Sequence, residues 1–250
     1  MYQVIELALN RGLRGPAWKK AGTVRFLCPA PGYDRHFTIC EYLGIEMIPV
    51  PMTDTGPDMD NVESRLAADP NIKGIWCVPR FSNPTGTVYD AATVERIARL
   101  GEIAGSGFLV MWDNAYAVHA LTDSAPELAN INRYCEQYNS AESVFQFGST
   151  SKITFAGAGV AFMASGPGNI RAFVDHLANS SIGPDKVNQL RQLRFLRNAQ
   201  SLASIWPGTP RSSHHALSAC RNTCRRACRV QISAFVVCVK LASVRQQLSQ

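Results

Sequence analysis

Five apolar residues in a row, Phe108-Leu109-Val110-Met111-Trp112, are followed at once by the carboxylate and amide of Asp113-Asn114. A continuous apolar run this short suits a strand covered on both faces, the usual state of a strand in a parallel sheet. Runs at 72–78, 144–147 and 160–164 repeat the signal, and shorter strand patterns stand at 24–28, ending in the turn Pro29-Ala30-Pro31-Gly32, and at 46–50. Between them lie helical patterns. The first covers 2–12, with Val4, Ile5, Ala8 and Leu9 in period and no capping residue before it. Others cover 37–43, 59–68 with Asp58 as cap, and 90–104 with Asp90 as cap and Val94, Ile97, Ala98 and Ile103 in period. Two more cover 170–178 and 186–198, the latter with Val187, Leu190, Leu193 and Leu196 on one side. Strands alternating with helices predict an α/β fold with a mostly parallel central sheet, whose ligands bind at the carboxyl ends of its strands.

Composition excludes several classes. At 46% hydrophobic and 18% charged, the 250-residue chain is not globally disordered. No apolar run approaches the roughly 20 residues of a membrane span, and the first ten residues lack the basic start and apolar core of a signal peptide, so no membrane partner is expected. The expectation is a cytoplasmic protein with reduced cysteines. The net charge of +6 is unevenly held: residues 1–200 carry 18 basic and 19 acidic side chains, whereas residues 201–250 carry seven basic and none acidic, together with four of the eight cysteines. Residues 1–198 are therefore read as the folded domain and residues 199–250 as an atypical basic Cys/Arg-rich tail, disordered or translated out of the ancestral frame.

Three polar segments stand at predicted strand ends: Ser82-Asn83-Pro84-Thr85-Gly86, Asp113-Asn114-Ala115-Tyr116 and Ser149-Thr150-Ser151-Lys152. Each alone has a plain explanation. Asn83 to Gly86 is a good turn, Asp113 could cap a helix, and Lys152 could be a solvated surface lysine. Their order and spacing outweigh those explanations. Together they resemble the class I/II aminotransferases of the pyridoxal phosphate (PLP) fold type I group. The flanking text Cys28 to Phe37 and Ser149 to Val160 is similar to the bacterial aspartate aminotransferase-like subgroup.

The resemblance implies the large PLP-binding domain of such an enzyme. It also implies the cofactor pyridoxal 5'-phosphate and the transfer of an amino group between an amino acid such as aspartate and a 2-oxo acid. Lys152 is implied as the lysine that bonds the cofactor aldehyde and then moves the substrate proton, and Asp113 as the partner of the pyridine nitrogen. Asn83 and Tyr116 are implied as hydrogen-bond partners of the phenolic oxygen, Tyr33 as the stacking aromatic, and Ser149 as a phosphate donor. Lys152, Asp113 and Tyr116 form the expected catalytic set. Arg35 and His36 could reach substrate or be a surface arginine and a helix-start histidine; His119 reads as a packed loop histidine and Trp112 as a residue under the sheet. A homodimer is implied by the resemblance alone.

Three departures from the family pattern shape the functional expectation. The helix at 2–12 resembles the inside of a family helix whose preceding loop cradles the phosphate. Ala156 to Val160 offers small residues where many members place an arginine. After residue 198 the resemblance stops, before the small domain with its carboxylate-binding arginine. The chain is thus expected to be truncated at both ends, with impaired activity. Two alternatives are a non-catalytic aminotransferase remnant and a regulatory or nucleic-acid-binding protein with an inactive domain. The latter is disfavoured because no helix-turn-helix is visible. No metal site is expected, since Cys220, Cys224 and Cys228 lack the spacing of the usual zinc sites.

Overall fold

Asp58 and Asp90 each stop a chain and start a helix. Their carboxylates accept the backbone N–H groups of Asn61 and Thr93, satisfying donors that the first helical turn leaves open. A computed structural model of the chain describes residues 1–105, 107–119, 125–154 and 157–198. In chain order its elements are α1 (Tyr2–Asn10), β1 (Arg25–Ala30), α2 (Asp34–Tyr42), β2 (Glu46–Thr53), β3 (Gly56–Pro57), α3 (Met59–Ala68), β4 (Ile72–Cys77), α4 (Ala91–Ala104) and β5 (Leu109–Asp113). Then come α5 (Ile131–Gln137), β6 (Val144–Ser149), β7 (Ala161–Ala164), α6 (Pro167–Ser180) and α7 (Lys186–Leu196). Two 3-10 turns, Trp18–Ala21 and Ala141–Ser143, complete the set.

The strands form one seven-stranded sheet in the order β3-β2-β1-β4-β5-β6-β7. β1 runs parallel to β2 and β4, and β5 runs parallel to β4 and β6, while the short β3 pairs antiparallel with β2. The expected α/β architecture with a mostly parallel sheet is therefore the one found. β5 is buried along its whole length, as its apolar run predicts. The core around it includes Val62, Leu66, Ile75, Val94 and Ile97, all nearly or fully inaccessible.

Local differences have identifiable causes. β1 continues through Pro29 and Ala30, where a turn is expected, because both residues stay in register with Val50 and Pro51 of β2. α2 starts at Asp34, three residues early. In α4, Leu100 takes the buried place expected for Ile103, which is 43% exposed. β7 is not covered on both faces: it is an edge strand, and Ala161, Phe162 and Ala164 are exposed. In α7 the expected apolar stripe is not the buried side. Val187 is 77% exposed, and Gln192 is the buried residue.

The chain divides into two units. One comprises Met1–Asn114, Glu127–Phe147 and Ala164–Ser180; the other comprises the described parts of Ala115–Pro126, Gly148–Met163 and the chain from Ser181 onward. Among the described residues no helix is long and apolar enough to cross a membrane. Cys28, Cys40, Cys77 and Cys135 are buried free thiols. The expectations for residues 199–250 fall outside the described residues.

Candidate active site

In the first unit the chemistry gathers at the carboxyl end of β5. Asp113 is its last residue, 6% exposed, and its register opposite Phe147 of β6 fixes where the carboxylate emerges. His36, in the first turn of α2, brings its Nε2 to 2.9 Å from Asp113 Oδ2. The imidazole is itself buried, lies flat on Trp76 of β4 (4.1 Å between centroids, 5° between planes) and meets Tyr33 edge-on at 5.2 Å. Among the described residues no hydrogen bond occupies Asp113 Oδ1. The amino group of Met1 is buried near the same carboxylate; burial pulls its pKa down and the charge of Asp113 opposes that pull.

Tyr33, His36, Trp76, Ser82 and Asn83 line one small cavity of about 20 Å³ in this unit. The segment that brings Asn83 there is a tight turn. The Ser82 N–H donates to Thr87 O, the Gly86 N–H donates to Ser82 O, and the Ser82 hydroxyl donates to Val78 O. Gly86 has φ +76°, a backbone state that side chains disfavour. The expected turn at Asn83-Pro84-Thr85-Gly86 is therefore the one found, and it leaves Asn83 on the cavity wall.

The second unit holds the other residues expected at the site. The Lys152 ammonium lies 5.7 Å from the centre of the Tyr116 ring, and Tyr116 meets His119 edge-on at 5.4 Å. His119 Nε2 is 3.3 Å from Lys152 O, so this packed loop histidine bears on the lysine's own backbone. Thr150 anchors the turn that carries Lys152. Its backbone N–H donates to Val160 O, its Oγ1 accepts the Val160 N–H at 2.9 Å, and its carbonyl accepts from Ile153 and Thr154. A Cβ on Gly159 would sit 2.1 Å from Ser151 Oγ and 2.7 Å from Ser151 N, so only glycine lets the two backbones close. The Ser149 hydroxyl turns to Ser151, donating to its Oγ at 2.8 Å and accepting its N–H at 3.0 Å.

Of the expected residues, Tyr33, Asn83 and Asp113 thus converge in the first unit, Asp113 through His36. Tyr116 and Lys152 converge in the second, with Ser149 held by its own turn. Sequence reasoning did not anticipate the contact of His36 with Asp113 or its stacking on Trp76. The spacing of Tyr33 and His36, three apart at a helix start, puts both on one face once α2 begins at Asp34. Trp112 is buried, as expected, and packs edge-on against Tyr89.

The aspartate amino-transferase family model matches residues 1–221. The chain belongs to the aspartate aminotransferase family. A relative from Mycolicibacterium smegmatis is 49% identical over 200 residues, covering 80% of this chain and 46% of that protein. The aspartate aminotransferase of Corynebacterium glutamicum is 46% identical over 188 residues, covering 75% of this chain and 43% of the relative. The crystal structure of an aspartate transaminase from the same organism superposes with a TM-score of 0.77 at 44% identity, over 82% of this chain and 48% of that one. The chain therefore spans about half the length of the relatives it matches. At 21% identity, an alpha-aminoadipate aminotransferase from Thermus thermophilus, solved with N-(5'-phosphopyridoxyl)-L-leucine, shares the fold with a TM-score of 0.65.

The cofactor that the family fold implies can be tested against these residues. A pyridine ring needs a buried carboxylate with a lone pair to spare at its nitrogen. Asp113, with Oδ2 fixed by His36 and Oδ1 open among the described residues, offers that. The Asp113 carboxylate fits the group at that position.

Proposed function

We propose that the chain is the large, cofactor-binding part of a PLP-dependent aminotransferase, with residues 1–198 as that domain. The proposed reaction moves an amino group between an amino acid such as aspartate and a 2-oxo acid, in a homodimer in the cytoplasm. The observation that carries this reading is the buried Asp113 carboxylate, held by His36 at 2.9 Å at the end of a parallel strand, in a chain of this family.

When bound, pyridoxal phosphate supplies an electron sink that no side chain offers. Asp113 would keep a proton on the ring nitrogen, since a carboxylate of fixed position stabilises positive charge. Asn83 and Tyr116 would bond the phenolic oxygen, Tyr33 would stack on the ring face, and Ser149 would donate to a phosphate oxygen by turning its hydroxyl from Ser151. Lys152 would hold the cofactor through Nζ, and its amine would serve as the base that moves the proton of the substrate Cα.

The test is covalent trapping. The purified chain is mixed with pyridoxal phosphate, reduced with borohydride and mapped by peptide mass. A phosphopyridoxyl group on Lys152, and a visible-edge absorption band lost in Lys152→Ala, are the expected results. Modification spread over surface lysines, with an unchanged band in Lys152→Ala, would refute the assignment. Specific trapping at Lys152 without amino transfer from aspartate would favour the non-catalytic remnant.

A further inference from the structure

Trp76 stands on β4 two residues after Gly74 and so on the same face of the sheet. Gly74 is opposite Phe26 of β1, and the Phe26 ring fills the space that a side chain on Gly74 would need. That ring meets Trp76 edge-on at 5.9 Å and Trp18 edge-on at 5.8 Å. On α2, His36 and Cys40 are four apart and stand one above the other on one side of the helix. Cys40 Sγ accepts the Trp76 indole N–H at 3.3 Å, and the His36 imidazole lies flat on the indole. Trp76, Phe26 and Cys40 are all buried. The indole is thus held at its N–H and against a neighbouring ring, and it forms a fixed platform under His36.

We propose that Trp76 is a positioning residue for the cofactor: its indole face sets the plane of the His36 imidazole, and through it the Asp113 carboxylate. The inference rests on the cofactor reading given above. An ionised carboxylate only accepts hydrogen bonds, so His36 Nε2 is the donor in its 2.9 Å contact with Asp113 Oδ2. The Nε2–H lies in the plane of the imidazole, and the bond to Oδ2 weakens steeply once that plane tilts. The terminal torsion of a histidine is broad, so the side chain does not set this plane by itself. Trp76 does. An imidazole parallel to an indole, 4.1 Å away with 5° between the planes, cannot tilt without driving an edge into the indole face. A half-turn keeps the stack but takes Nε2 away from Oδ2, and the hydrogen bond itself excludes it. Platform and bond together leave one orientation, in which Oδ2 is engaged and Oδ1 is left for the pyridine nitrogen. Trp76 acts on the cofactor only through His36.

The full chain carrying isotope-labelled histidine is first measured by NMR without cofactor. In the wild type the His36 Nε2–H is expected to exchange slowly with solvent. The carbon-bound ring protons of His36 are expected upfield of the ordinary histidine position, because they lie over an indole. Trp76→Met keeps bulk but removes the flat face. There the Nε2–H exchange quickens several-fold and the upfield shift is lost, while the His119 signals stay. Trp76→Phe restores a flat face and brings slow exchange back. His36 ring protons at the ordinary position in the wild type overturn the proposal, and so does slow exchange kept in Trp76→Met. If Trp76→Met does not fold, the His119 signals vanish too, and the wild-type shift decides alone. The chain is then loaded with pyridoxal phosphate and dialysed. Release is expected to be several-fold faster from Trp76→Met than from the wild type, with borohydride trapping the cofactor on Lys152 in both. Equal release from a wild type that traps on Lys152 refutes the proposal alone. A wild type that does not trap there refutes the cofactor reading and the proposal with it.

Discussion

His36 meets three groups of different chemistry at once: the carboxylate of Asp113, the indole face of Trp76 and the ring of Tyr33. Removing it leaves a buried carboxylate oxygen without its donor, the costly case for a polar group inside a protein. His36→Ala is expected to lower stability by roughly 1–3 kcal/mol in urea unfolding, with a further loss of pyridoxal phosphate retention measured by dialysis. At this scale the sequence was legible where a residue's place in the fold follows from its own neighbours. The positions of Asp113 at the end of β5 and of Lys152 just after β6 could be read, because each follows an apolar run. His36 could not be assigned, because its partner lies 77 positions away and only the β1-β4-β5 order brings the two together. The same holds for Gly159, whose need for a missing side chain is set by Ser151 across a loop.

At the scale of elements, helices that bury one apolar side against the sheet were readable, and α3 has the expected bounds, Met59–Ala68, with the expected cap. α4 shows where periodicity stops being enough. Ile97 and Ile103 look equivalent in the pattern, yet Ile97 is wholly buried against the sheet and Ile103 is 43% exposed near the helix end. Ile97→Ala is expected to cost about 2–5 kcal/mol. Ile103→Ala is expected to stay within about 0.5 kcal/mol of the wild type, and paired denaturant curves separate the two. In α7 the pattern misleads for a different reason. Gln192 is buried because its amide donates to Thr154 Oγ1 at 3.0 Å and to Ala158 O at 2.7 Å. A polar side chain becomes an interior one when a loop supplies its partners, and a helix's own sequence does not display that loop.

Across the whole molecule, charge ties the opening of the sheet together. Arg25, at the start of β1, bonds Glu46 at the start of β2 (2.7 Å) and Asp69 after α3 (2.8 Å). The Arg25 guanidinium and the Asn71 N–H hold the Asp69 carboxyl below its ordinary range. Because the folded value is the lower one, this contribution to stability is present above the unfolded value of about 4. It is lost as pH falls through the folded one. The denaturation midpoint of the wild type should therefore fall with acid in that window, and Asp69→Asn should flatten the slope. Added salt should shrink the difference, since the groups are partly solvated. β7 has a consequence of another kind. It ends the sheet with Ala161-Phe162-Met163-Ala164, which contains neither a charge nor a proline, and Phe162 is half exposed. Natural sheets usually guard such borders with lysine, proline or a covering helix. Left bare in a concentrated solution, this strand is a template on which another chain can add its own strand. Among the described residues, this border is thus where self-association is expected to begin.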